Sequence, residues 1–212
     1  MSKTITRLFD TYADATAAVR ELEALGISHD DVSIVANNAH GHHGTDGVDD
    51  HDGVNDHGDV SRGTSTGALL GGAGGLLAGL GLLAIPGLGP IVAAGWLAAT
   101  AVGAGIGAAG GAATGSLVGS LKNAGHTEEE ANVYSEGVRR GGTLVSAKVA
   151  DAQIGDAEAV LDRNKSVDAT ARGAEYRQSG WTSFDAAAPA YTSDEIDRER
   201  SRYASTDATT RY

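Results

Sequence analysis

The chain has 212 residues, a net charge of −12, 31 glycines, 5% aromatic residues and no cysteine. Disulfides, thiolate catalysis and thiolate metal sites are excluded, and so few aromatics argue against one conventional core built from the whole chain. Residues 1–62 hold 4 basic and 12 acidic side chains, 63–121 hold none, and 122–212 hold 12 basic and 16 acidic; without a basic stripe, nucleic-acid binding lacks its electrostatic footing.

The opening "MSKTITRLFD" has no apolar run of the kind a secretory signal needs, so residence on the cytoplasmic side is expected. Residues 1–36 read β-α-β. Thr4–Phe9 is rich in β-formers. Asp10 is placed to cap a helix over Thr11–Leu25, whose apolar positions Tyr12, Ala15, Val19, Leu22 and Leu25 recur at three and four residues, and Gly26 supplies the stop. Asp31–Asn37 is a second strand, and a helix crossing back over the sheet would make the two strands parallel.

Residues 37–65 form an acidic, glycine-rich linker without periodicity. Five of the seven histidines lie there, at His40, His42, His43, His51 and His57, among Asp46, Asp49, Asp50, Asp52, Asp56 and Asp59. Imidazole and carboxylate together could hold zinc or nickel, but the spacing matches no defined site, and a calcium loop would place Val48 where its first carboxylate belongs. A solvated linker is the expected reading, and no cofactor is implied.

Residues 66–121 contain no charged side chain. Glycine recurs every fourth residue at Gly67, Gly71, Gly75 and Gly79, and again at Gly103, Gly107, Gly111, Gly115 and Gly119. On helices these positions would form two smooth grooves through which backbones approach closely. Between them, Pro86 and Pro90 stop a helix while Gly87 and Gly89 permit a reversal. The expectation is an α-helical hairpin of glycine-zipper type. Its first arm, Thr66–Ile85, would be about 30 Å long, enough to match a hydrocarbon core.

Residues 122–172 read as a helix and a second βαβ half. Thr127 and Glu130 form a capping box, and the last turn carries Arg139 and Arg140, suited to the negative end of the helix dipole. Thr143–Ala150 alternates, with Val145, Ala147 and Val149 on one face. A short helix follows, with Ile154, Ala157, Val160 and Leu161 inward, and Val167–Arg172 alternates as a fourth strand. Residues 173–212 are an aromatic and charged tail in which Thr192 and Glu195 cap a short helix; its Trp181 and Phe184 either dock on the sheet or leave a flexible terminus. Together the ends predict an α+β, ferredoxin-like βαβ…βαβ sandwich, four strands with helices on one face, interrupted by the glycine hairpin.

The glycine run lacks the Lys-Ser/Thr of a phosphate loop, and Ser116, Ser120 and Ser135 have no recognisable His and Asp partners, so no enzyme and no small-molecule substrate are expected. The stretches "TITRLFDTYADATAAVRELEALGISHDDVSIVAN" and "GHTEEEANVYSEGVRRGGTLVSAKV" resemble the bacterial general stress proteins, the heat-induced stress protein (YflT-type) family, in its proteobacterial form with a glycine-rich insertion. The resemblance covers about residues 3–36 and 64–150 and, more loosely, "YRQSGWTSFD". It implies a stress-associated role without established catalytic or binding residues. The expected partners are further copies of the chain, a lipid bilayer such as the inner membrane, or both; the alternative is a ligand- or metal-binding stress module using the βαβ units or the His/Asp linker.

Overall fold

A strand buried at every position has to be covered from both sides, and Val32–Asn37 (β2) is buried at all six of its residues. The computed structural model describes residues 2–41, 81–100 and 117–209, with side chains through 203. Around β2 it arranges β1 (Ser2–Phe9), α1 (Tyr12–Ala24), β3 (Gly81–Ile85), β4 (Gly89–Gly95), α2 (Leu117–Asn123), α3 (Glu128–Arg139), β5 (Thr143–Ala150), α4 (Ile154–Arg163), α5 (Ala169–Gln178) and α6 (Ser193–Thr209). The strands form one sheet in the order β1-β5-β2-β4-β3, and each neighbouring pair is antiparallel. β1 and β2 do share a direction, as the crossover requires, but β5 is inserted between them.

Side-chain alternation sends each strand into two cores. Ile5, Phe9, Val32, Ile34, Val145, Ala147 and Val149 meet Ala15, Val19 and Leu22 of α1 and Ala157, Val160 and Leu161 of α4 on one face. Leu8, Val35, Ile91 and Leu144 meet Leu117 and Leu121 of α2 and Ala131, Tyr134 and Val138 of α3 on the other. The α+β class therefore holds, while four strands with helices on one face do not describe this fold.

Local chemistry sets the helix ends. Thr11, not Asp10, caps α1, its hydroxyl accepting from the Asp14 amide at 3.1 Å. The capping box of α3 is made in both directions, the Glu130 amide donating to Thr127 Oγ1 at 3.2 Å and the Thr127 amide to Glu130 Oε2 at 2.9 Å. Val167–Arg172 is not a strand. Only Val167 bridges to Leu8, after which Asp168 accepts from the Ala171 amide at 2.7 Å and opens α5. A carboxylate N-cap followed by good helix formers outweighs six residues of chance alternation.

The larger correction falls within 66–121. "GLLAIPGLGPIVAAG" is a β-hairpin joined to the main sheet, not part of a helical hairpin. Ile85 precedes a proline, which biases it to extended backbone, and β-branched Ile91 and Val92 favour strand. The reversal falls where the sequence places it. The Leu88 amide bonds to the Ile85 carbonyl at 3.0 Å, with Pro86 second and Gly87 third at φ 78°, the arrangement of a type II turn. Gly67, Gly71, Gly75, Gly79, Gly103, Gly107, Gly111 and Gly115 lie outside the described residues; Gly119 lies within α2, half-buried.

Gly95 ends β4 opposite Ser33 with φ 86°, and a Cβ there would fall onto the Val32 carbonyl oxygen. Gly95→Ala should cost at least about 2 kcal/mol, combining left-handed strain with displacement of backbone. A lowered urea midpoint at unchanged slope would register it.

Candidate functional site

The last turn of α3 carries Glu136, Arg139 and Arg140, and the i, i+4 spacing puts Glu136 against Arg140. Arg140 Nε donates to Glu136 Oε1 at 2.7 Å, and its Nη1 donates to Glu199 Oε2 of α6 at 3.2 Å. The Glu136 side chain is 1% exposed. Tyr203 Oη and Arg202 Nη1 complete Glu199, each at 2.8 Å. Beside them Arg172 of α5 grips Asp10 with two bonds of 2.7 and 2.9 Å.

Tyrosine rings are layered between these charges. The Arg140 guanidinium lies 4.3 Å from the Tyr176 ring centre, Arg139 lies 4.9 Å from Tyr191, and Arg172 lies 3.8 Å from Tyr203. Buried aromatic faces are the setting in which such cation–ring contacts are strongest. Burial pushes the Tyr176 hydroxyl up to about 12. Burial alone would lower Arg140 and Arg172; their bonds to Glu136 and Asp10 more than offset it and raise both. Arg140 and Arg172 thus stay charged and the Tyr176 phenol stays neutral at ordinary pH. The cluster joins elements far apart in sequence.

What it holds is the C-terminal segment. Trp181 meets Tyr176 edge-on at 5.6 Å, and Phe184 packs on the core beside α3, its amide donating to Asn132 Oδ1 at 3.0 Å. Asp185, Ala186 and Ala190 then lie against Gly87 and Gly89 of the hairpin turn, where a Cβ would find no room. Ile196 is buried against Gly141, and Arg200 donates to the Gly141 carbonyl at 3.0 Å. His40 Nε2 lies 3.1 Å from Asp197 Oδ1, tying the start of the 37–65 segment to α6.

A second buried network sits on the α2–α3 side of the sheet. Thr6 Oγ1 lies 2.6 Å from His126 Nε2 and 2.7 Å from Ser146 Oγ, and Tyr134 Oη donates to the Thr6 carbonyl at 2.9 Å. Glu130 is 3.9 Å from His126 Nδ1. The constellation has the residue types of a hydroxyl–imidazole–carboxylate relay. Thr6 and Ser146, at 1% and 0% exposure, have no surface through which a substrate could be attacked. Burial lowers the His126 pKa, helped by Arg7 and Lys3 and opposed by Glu130.

The residues singled out from sequence are thus partly placed. Pro86, Gly87, Gly89 and Pro90 come together at the turn beneath the C-terminal segment. His40 is placed; His42, His43, His51 and His57 lie outside the described residues, and among the described residues no group of three or more metal-ligating side chains forms. The charged and aromatic cluster was not legible from spacing. Arg140 read only as a dipole partner, and Arg172 fell in an expected strand.

Comparison with protein-family models, curated proteins and solved structures finds no match to the chain.

Arg140→Leu should destabilise the protein by about 3–5 kcal/mol, because it leaves the buried Glu136 carboxylate with only the longer, 3.5 Å contact from Arg139. Glu136→Leu combined with Arg140→Leu should cost less than the two single changes summed, a coupling measurable by a urea double-mutant cycle.

His126 adds a pH dependence of known sign. Its native pKa lies below the ordinary 6.5, so the unfolded chain binds the proton first. Its share of stability is present above pH 6.5 and falls as pH drops below that value. Urea midpoints of the parent should fall more steeply over this range than those of His126→Gln.

Proposed function

We propose that the folded sheet is a non-enzymatic scaffold of a stress-associated protein that presents two glycine-rich segments for association with further copies of the chain or with a bilayer surface. The observation that carries this reading is the β3–β4 pairing, in which Gly81 stands opposite Ala93. The chain therefore enters β3 and leaves β4 at the same end of one hairpin, with one glycine run preceding residue 81 in sequence and the other following residue 100. Nothing charged separates them, since residues 63–121 hold neither acid nor base. Glycines at four-residue steps suit close approach between segments or between copies. The resemblance to general stress proteins supplies the physiological context.

Self-association is favoured over a two-span membrane protein. β3 removes Gly81–Ile85 from the expected first arm, and Thr66–Leu80 as a helix would reach only about 22 Å against a hydrocarbon core of about 30 Å. Among the described residues no helix is long and apolar enough to cross a membrane.

Replacing Gly71, Gly75, Gly107 and Gly111 together by leucine tests the reading. Added side chains should fill the approach between backbones, so the sedimenting assembly should shrink, while flotation with liposomes should hold or increase because leucine is more apolar. Assembly equal to that of the parent would remove the glycine spacing as its basis.

A further inference from the structure

β3 is an edge strand whose outward backbone groups can be identified. The Pro90 carbonyl accepts from the Asn38 amide at 2.9 Å, so position 90 directs its polar groups toward the β2 side. Ala84 is paired with Pro90 and therefore directs its own N–H and C=O away from β4; by alternation, Leu82 does the same. Among the described residues no strand lies along this edge. Leu82, at 65% exposure, is the most exposed large apolar side chain among the described residues.

The two ends of the sheet contrast. β1 carries Lys3 and Arg7, and Val167 donates to the outer Leu8 carbonyl at 2.7 Å; charge and a covering segment are the usual protections of an edge. "GLLAI" has neither charge nor internal proline.

We propose that β3 pairs antiparallel with β3 of a second copy, about a two-fold axis at Leu83. This register sets Leu82 opposite the partner's Ala84 and Ala84 opposite the partner's Leu82. The outward groups of both residues are satisfied, giving four hydrogen bonds, and the segment is its own complement. A charged partner strand would find no opposite charge here, whereas two copies bring no like charges together at the strand itself. Remaining repulsion between the acidic bodies is damped beyond about 8 Å at physiological salt. The pairing rests on the self-association reading above and names a surface for it. A five-residue strand pair alone is small beside the roughly 1,200–2,000 Å² of a standard interface, so it should be reversible without further contacts.

The chain has no cysteine, so Leu83→Cys introduces its sole thiol. In the proposed register the two positions form a non-hydrogen-bonded pair with Cα atoms about 4.5 Å apart, within disulfide reach. Under mild oxidation the full-length Leu83→Cys variant should form covalent dimer at least tenfold faster than Asp30→Cys, whose site is 93% exposed and lies outside β3. Adding Leu82→Lys should bring the rate to the Asp30→Cys level, with circular dichroism showing the fold retained. Equal rates for Leu83→Cys and Asp30→Cys would overturn the pairing. Parent assembly that survives Leu82→Lys but is lost on the glycine-to-leucine replacements would overturn the pairing and keep the glycine reading. The reverse result would keep the pairing and overturn the glycine role.

Discussion

The insertion of β5 between β1 and β2 closes the sheet, and most other contacts follow from it. β1 pairs with β5 over eight residues, from Ser2↔Ala150 to Phe9↔Thr143, and β2 pairs with β5 over five. Without that middle strand, β1 and β2 would be two ends of a crossover with no ladder between them. With it, Val145, Ala147 and Val149 complete the core under α1 and α4, and Leu144 completes the one under α2 and α3. The same insertion brings Ser146 against Thr6, so the buried hydroxyl network is a by-product of the strand order.

The second organising element is the charged cluster that fastens the C-terminal segment. Four elements far apart in sequence contribute to it: Asp10 before α1, Glu136 and Arg140 on α3, Arg172 on α5, and Glu199 and Tyr203 on α6. Buried ion pairs of this kind give little net stabilisation over well-packed apolar residues, but they tolerate no missing member. Their effect here is to fix where α6 lies: over Gly141, beside Arg139 and against His40. The glycines of the hairpin turn have a double role, permitting positive φ and letting Ala186 and Ala190 approach the backbone. Hairpin, helix α3 and C-terminal segment are consequently one packed unit.

What the sequence makes legible is the chemistry that acts over a few residues. The α1 stripe at Ala15, Val19 and Leu22, both directions of the Thr127–Glu130 box, the inward face of β5 and the cap at Thr192 all depend on neighbours within four positions and are found, whereas Leu25, expected in the same stripe, is exposed. The apolar run Ile34–Ala36 is compatible with a strand covered on both faces, although a sheet covered on one face was expected from it. Glycine periodicity misled at 81–95. A four-residue repeat in the flanks was extended across a stretch whose own prolines and β-branched residues favour a strand. The Arg140–Glu199 and Arg172–Asp10 pairs join residues 59 and 162 positions apart, and no local pattern encodes such distances.

The position of β5 in the chain also has a consequence for biosynthesis. Its first residue, Thr143, follows the end of β2 by more than a hundred residues, an interval of roughly 5–20 s at ordinary translation rates of about 5–20 residues per second. During that interval β1 and β2 are outside the ribosome without the strand that must lie between them, and the apolar hairpin has no completed core behind it. The nascent chain therefore passes through a long aggregation-exposed period, and conditions that slow elongation lengthen it.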